Sequence, residues 1–73
     1  MNRKIEILRE LLKTKYIDYS IIYTYIFDKK CHAFTFEQFP LKSINIELSF
    51  EDVDDLEVNE LISIIDAQIQ KKG

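Results

Sequence analysis

From Ser43 to Phe50 the chain alternates without a fault. Ile44, Ile46, Leu48 and Phe50 are apolar, whereas Ser43, Asn45, Glu47 and Ser49 are polar. Successive strand side chains point to opposite faces, so this period of two predicts a strand with one face on a core. The first residues have a different period. Ile5, Leu8, Leu11 and Leu12 recur at three- and four-residue spacing, and Glu6, Glu10, Arg3, Lys4, Arg9 and Lys13 fill the positions between. That predicts an amphipathic helix over Arg3–Lys15, with Asn2 as its N-cap and Lys13 and Lys15 complementing the C-terminal dipole.

Between these two segments the texture is β-branched and aromatic. Tyr16–Phe27 places Tyr19, Ile21, Tyr23, Tyr25 and Phe27 on one face and Ser20, Ile22, Thr24 and Ile26 on the other. Both faces are partly apolar, which reads as the central strand of a small sheet. Asp28-Lys29-Lys30 forms a polar turn, and Cys31–Glu37 returns as a strand. Pro40 then breaks the chain, since it lacks a ladder donor and holds Phe39 extended. After Ser43–Phe50 a last helix begins between Glu51 and Glu57, capped by Ser49 with Asp52 or by Asp54 with Glu57. Val58, Leu61, Ile62, Ile65 and Ile69 form its apolar stripe. The expected architecture is α+β, in the order α-β-β-β-α: a three-stranded antiparallel meander with two helices packed on one face, forming a single domain over residues 1–73.

Composition narrows what such a domain can do. Its single cysteine, Cys31, cannot form an intrachain disulfide, so nothing favours an oxidising compartment. No segment has the apolar length of a membrane span, and the first residues lack the core of a signal peptide; the expected location is cytoplasmic. Glycine occurs only at position 73, which excludes glycine-rich phosphate loops and dinucleotide fingerprints. No cofactor is expected. Cys31 and His32 are adjacent, so on a strand they diverge and cannot act as nucleophile and base, and there is no second cysteine or histidine for a zinc site. Asp52-Val53-Asp54-Asp55 lacks the glycine and distal glutamate of a calcium-binding loop. A non-enzymatic protein without a bound metal is the expectation.

Charge carries the functional signal. Residues 1–30 hold seven basic and four acidic groups, net +3; residues 31–66 hold one basic and nine acidic groups, net −8; the last seven add two lysines, which gives −3. Glu47, Glu51, Asp52, Asp54, Asp55, Glu57 and Glu60 are the candidate partner-binding residues. Such a patch attracts basic protein surfaces and repels nucleic acid. The α-β-β-β-α order is shared with double-stranded RNA-binding domains, but phosphate contact needs lysines at the start of the last helix, where this chain has acids. Direct nucleic-acid binding is therefore not expected. The acids could instead imitate a phosphate row and occupy a basic, nucleic-acid-binding surface of a target protein. The plainer reading is that they cap a helix and keep it soluble.

The expected function is thus that of a small acidic inhibitor or modulator of another protein. Small size, charge asymmetry and an AT-rich coding bias, with plentiful isoleucine and lysine, suggest a phage or mobile element as its source. The alternative is a homodimeric adaptor held together by an aromatic sheet face, with Tyr19, Tyr23 and Tyr25 as anchors, since tyrosine is enriched at interface hot spots.

Overall fold

The computed structural model describes residues 3–39 and 42–72; the expected cap Asn2 and the break at Pro40 lie outside them. Helix α1 (Arg3–Lys15) is followed by strands β1 (Ser20–Ile26), β2 (Cys31–Gln38) and β3 (Lys42–Ser49), then by helices α2 (Phe50–Asp55) and α3 (Val58–Lys72). The strands form one antiparallel sheet in the order β1-β2-β3. The fold class read from the sequence is the one observed, with one more helix.

Register explains where the core lies. Phe34 stands opposite Tyr23 on one side and Ile46 on the other; Phe36 stands opposite Ile21 and Ile44. This face carries Phe34, Phe36, Ile44, Ile46 and Leu48 against Ile5, Leu8 and Leu12 of α1, Val53 of α2, and Leu61, Ile65 and Ile69 of α3. The other face bears Ile22, Thr24, Thr35, Asn45 and Glu47 and, among the described residues, is covered by no element. Cys31 and Ala33 are nevertheless buried there: both are small and sit on the central strand, Ala33 between the larger Thr24 and Glu47 and Cys31 between Ile26 and Ser49.

Three expectations are corrected. The first strand is shorter than Tyr16–Phe27: the Tyr16 amide still donates to Leu12 O, and Tyr19 N closes a turn onto Tyr16 O. It is also an edge strand, not the central one. Two partly apolar faces cannot separate a central strand from an edge strand that is covered by a helix on one side. Third, the last helix is broken at Leu56, whose backbone is extended (φ −99°, ψ 151°), and Phe50 belongs to α2, not to the strand. At about 100° per residue, an unbroken helix would turn Val53 about 80° from Leu61 and about 160° from Ile69. The break lets Val53 and the α3 stripe face one core.

The helix layer is tied together by polar contacts at its edge. Asp66 of α3 accepts hydrogen bonds from Lys15 and from the Tyr16 hydroxyl. Burial alone would push the Asp66 carboxyl up, but the two hydrogen bonds and the Lys15 charge outweigh it and hold it below the usual range. Burial, followed by the Asp66 hydrogen bond and charge, pushes the Tyr16 phenol up to about 12. The signs fix the pH windows. A depressed carboxyl contributes stability above its unfolded pKa, and this is lost as pH falls through the folded one. A raised phenol contributes stability below about 10, and this is lost as pH rises towards about 12. Asp66→Asn is expected to weaken the fold at neutral pH and to flatten its acid limb below about pH 4. Tyr16→Phe should flatten the alkaline limb. Urea midpoints measured against pH check both, and unchanged slopes would contradict the assignment.

Candidate functional site

The acidic residues enter the structure in three different situations. Glu51, Asp52, Asp54 and Asp55 are all exposed, on a helix of which only Val53 is buried. One side points to the core, so four carboxylates share the remaining circumference. Ser49 caps α2 by accepting from Asp52 N at 3.0 Å, one of the two expected arrangements. Because this bond uses the Asp52 amide, its carboxylate stays available to solvent. Glu57 is exposed at the break and starts α3, its carbonyl accepting from Leu61 N.

Glu60 and Glu47 behave differently. The Glu60 carboxylate accepts from Glu57 N at 3.0 Å, the reciprocal half of a capping box. The cap of α3 is therefore Glu57 with Glu60, not Asp54 with Glu57. Glu47 lies on the sheet face away from the helices, where Lys29 approaches it at 3.8 Å. The corner thus comprises Glu51, Asp52, Asp54, Asp55 and Glu57; Glu60 has a local task, and Glu47 belongs to another surface.

A basic residue organises this corner from beneath. The Lys4 ammonium donates to Val53 O at 2.7 Å, Leu56 O at 2.9 Å and Asp54 O at 3.3 Å. These are carbonyls at the C-terminal end of α2 and the break, where the helix leaves acceptors over and its dipole favours a cation. No pattern in the sequence pairs Lys4 with positions some fifty residues away. The ion pairs between side chains among the described residues, Glu10–Lys13, Lys15–Asp66 and Lys29–Glu47, all lie away from the α2 carboxylates.

Next to the corner is an aromatic cluster that the sequence does not announce. His32 is buried, its Nδ1 shares a 2.7 Å hydrogen bond with the Tyr23 hydroxyl, and its ring packs 4.9 Å from Phe50 and 5.8 Å from Tyr25. Burial pushes the imidazole pKa down, and the nearby Asp54 charge counteracts this only in part. Burial likewise raises the Tyr23 phenol, against the Arg9 guanidinium, which lies 5.1 Å over its ring. The histidine is held neutral as a hydrogen-bonded core residue.

The tyrosines do not form an open aromatic sheet face. Tyr23 and Tyr25 stand opposite Phe34 and His32, on the helix side, and Tyr19 packs edge-on against Tyr16 and Phe36. Only Tyr25 of the three is exposed. Among the described residues no three His, Cys, Asp or Glu side chains are grouped to hold a metal ion, and no helix is long and apolar enough to cross a membrane.

Comparison of the chain with protein-family models, with curated proteins and with solved structures finds no match in any of the three.

Proposed function

We propose that this chain is a small binding protein of the cytoplasm, an inhibitor or modulator, whose α2–α3 corner engages a basic surface on a partner protein. The observation that carries this reading is the exposure of all four α2 carboxylates together with Glu57, at a corner whose capping needs are already met by Ser49, Lys4 and Glu60. A helix cap needs one or two acceptors. The excess negative charge costs self-repulsion in the isolated chain, a cost that a cationic partner reverses.

The test compares two variants of equal net charge. One carries Glu51→Gln, Asp54→Asn, Asp55→Asn and Glu57→Gln. The other neutralises four exposed acids elsewhere, through Glu6→Gln, Glu10→Gln, Asp18→Asn and Glu37→Gln. Binding to an immobilised oligolysine peptide at low salt is expected to fall on the order of tenfold or more for the first, about 1.4 kcal/mol, and far less for the second. Equal losses would mean that net charge alone is being read, and would sink the proposal. Affinity capture on the wild-type and corner variants would then identify the natural partner.

A further inference from the structure

The two edges of the sheet are not alike. Along β3 the edge carries Lys42 and Glu47, α2 and α3 both pack against the strand, and Lys72 donates to Asn45 O at 2.7 Å. Charged side chains and covered carbonyls are the ordinary means of blocking an edge. β1 carries no charged residue of its own and no covered carbonyl among the described residues; Arg9 of α1 and Phe50 of α2 lie against the rings of Tyr23 and Tyr25, not across the open backbone edge. The strand pairs only with β2, so alternate N–H and C=O groups along Ser20–Ile26 point away from the sheet. Among the described residues, no group outside β2 hydrogen-bonds to this backbone. From Tyr19 to Phe27 there is neither a charge nor a proline.

Apolar exposure gathers at the same place. Of the seven large hydrophobic residues exposed among those described, four are in or beside β1: Ile17 (80%), Ile22 (49%), Tyr25 (55%) and Phe27 (68%). An open, uncharged strand edge flanked by exposed apolar side chains calls for another strand.

The geometry points to a second copy of this chain as the occupant, its β1 pairing antiparallel with β1 about a twofold axis to give one continuous six-stranded sheet. Self-complementarity is the reason. Identical antiparallel strands bring each residue opposite a residue on the same face, so Ile22, Thr24 and Ile26 meet their own kind, as do Ile21, Tyr23 and Tyr25. β-branched and aromatic pairs of this type stabilise a ladder, whereas like charges opposed across the axis destabilise it. A strand with charges would repel its own copy, but β1 has none to oppose. A twofold contact also closes on itself, leaving only the guarded β3 edges at the ends. A stable dimer takes about 800 Å² from each partner. Against a total accessible surface of 5089 Å², the strand edge has to be supplemented by the side chains of Ile17, Ile22, Tyr25 and Phe27. None of the corner carboxylates belongs to β1, although the Tyr25 ring stacks on Phe50 at the start of α2, 5.1 Å away.

Sedimentation equilibrium of the full chain, from low micromolar to near-millimolar concentration, is expected to show a mass rising to twice 8.7 kDa. Ile22→Lys with Thr24→Lys, both exposed and on the face away from the helices, places four lysines around the axis. This variant should remain at the mass of one chain with an unchanged circular dichroism spectrum, while Asn45→Lys at the opposite edge still dimerises. If the double variant fails to fold, amide exchange in the wild type decides: amides within residues 20–26 should exchange more slowly as concentration rises. A wild-type mass of one chain throughout, growth beyond two chains, a folded double variant that still dimerises, or concentration-independent exchange in β1 would each overturn the proposal. The corner variant with Glu51, Asp54, Asp55 and Glu57 neutralised should dimerise normally, so failure of one proposal is distinguishable from failure of the other.

Discussion

Phe34→Ala is expected to destabilise the fold by about 3–5 kcal/mol, the usual cost of truncating a fully buried phenylalanine. A domain of this length has roughly 4–11 kcal/mol to lose, at 0.05–0.15 kcal/mol per residue. Phe34 has no accessible surface, occupies the middle of the central strand and stands between Tyr23 and Ile46, with the Tyr23 ring 5.3 Å away. Its neighbours on β1 and β3 cannot collapse into the space without breaking the ladder. The truncated chain should show a much lower urea midpoint and partial unfolding at room temperature. A loss below about 1 kcal/mol would mean that the helices do not close over this face as described.

The second large effect is expected at Lys4. Replacement by methionine keeps the apolar stem but removes the ammonium that bridges three carbonyls at the end of α2. Charged hydrogen bonds contribute about 1.5–3 kcal/mol each where buried; with partial exposure here, the whole loss is expected to be about 2 kcal/mol. The effect should be local as well as global. Amides at the α2–α3 junction, Leu56 above all, should exchange faster relative to those of β2. Val53→Ala would damage the same region through the core, so a double-mutant cycle between the two positions should show coupling. Strict additivity would place Lys4 outside the joint.

Most of the elements were legible in the sequence, because each is written as a local period. Ile5, Leu8 and Leu12 define α1 within one window, and Ile44, Ile46 and Leu48 define β3 in the same way; all six are buried. The break at Leu56 was not legible. The acids from Glu51 to Glu57 suit the first turn of a helix wherever it starts, so one long helix and two short ones read alike. Nor was the use of Glu60, since a carboxylate three residues after a cap becomes a capping partner only once the start of α3 is fixed.

The candidate site shows the same division. The concentration of acids was visible in the sequence, but their exposure rests on a separate short helix, α2, with Val53 buried, and the apolar stripe read from Val58 to Ile69 did not include it. Separation of Glu47 from them depends on the pairing of β3 with β2, which sends odd positions of β3 away from the helices. The side of the sheet on which the tyrosines lie was open for a related reason. The side on which Tyr23 and Tyr25 lie depends on pairing Tyr23 with Phe34, and hence on how the Phe27–Lys30 turn closes, with Lys30 N donating to Phe27 O and Lys30 at φ 51°. A slip of one residue would have reversed it.

By itself, then, the sequence determined the period of each segment, the α-β-β-β-α order and the concentration of acid after residue 47. Only the tertiary structure decided which strand is an edge, which tyrosines are covered, and which acids are occupied by caps. Periodicity is a property of neighbours along the chain. Edge and cover depend on contacts between residues far apart in the chain, and the caps, though only three residues long, depend on where the break at Leu56 places the helix starts; the alternation of apolar and polar positions holds no record of either.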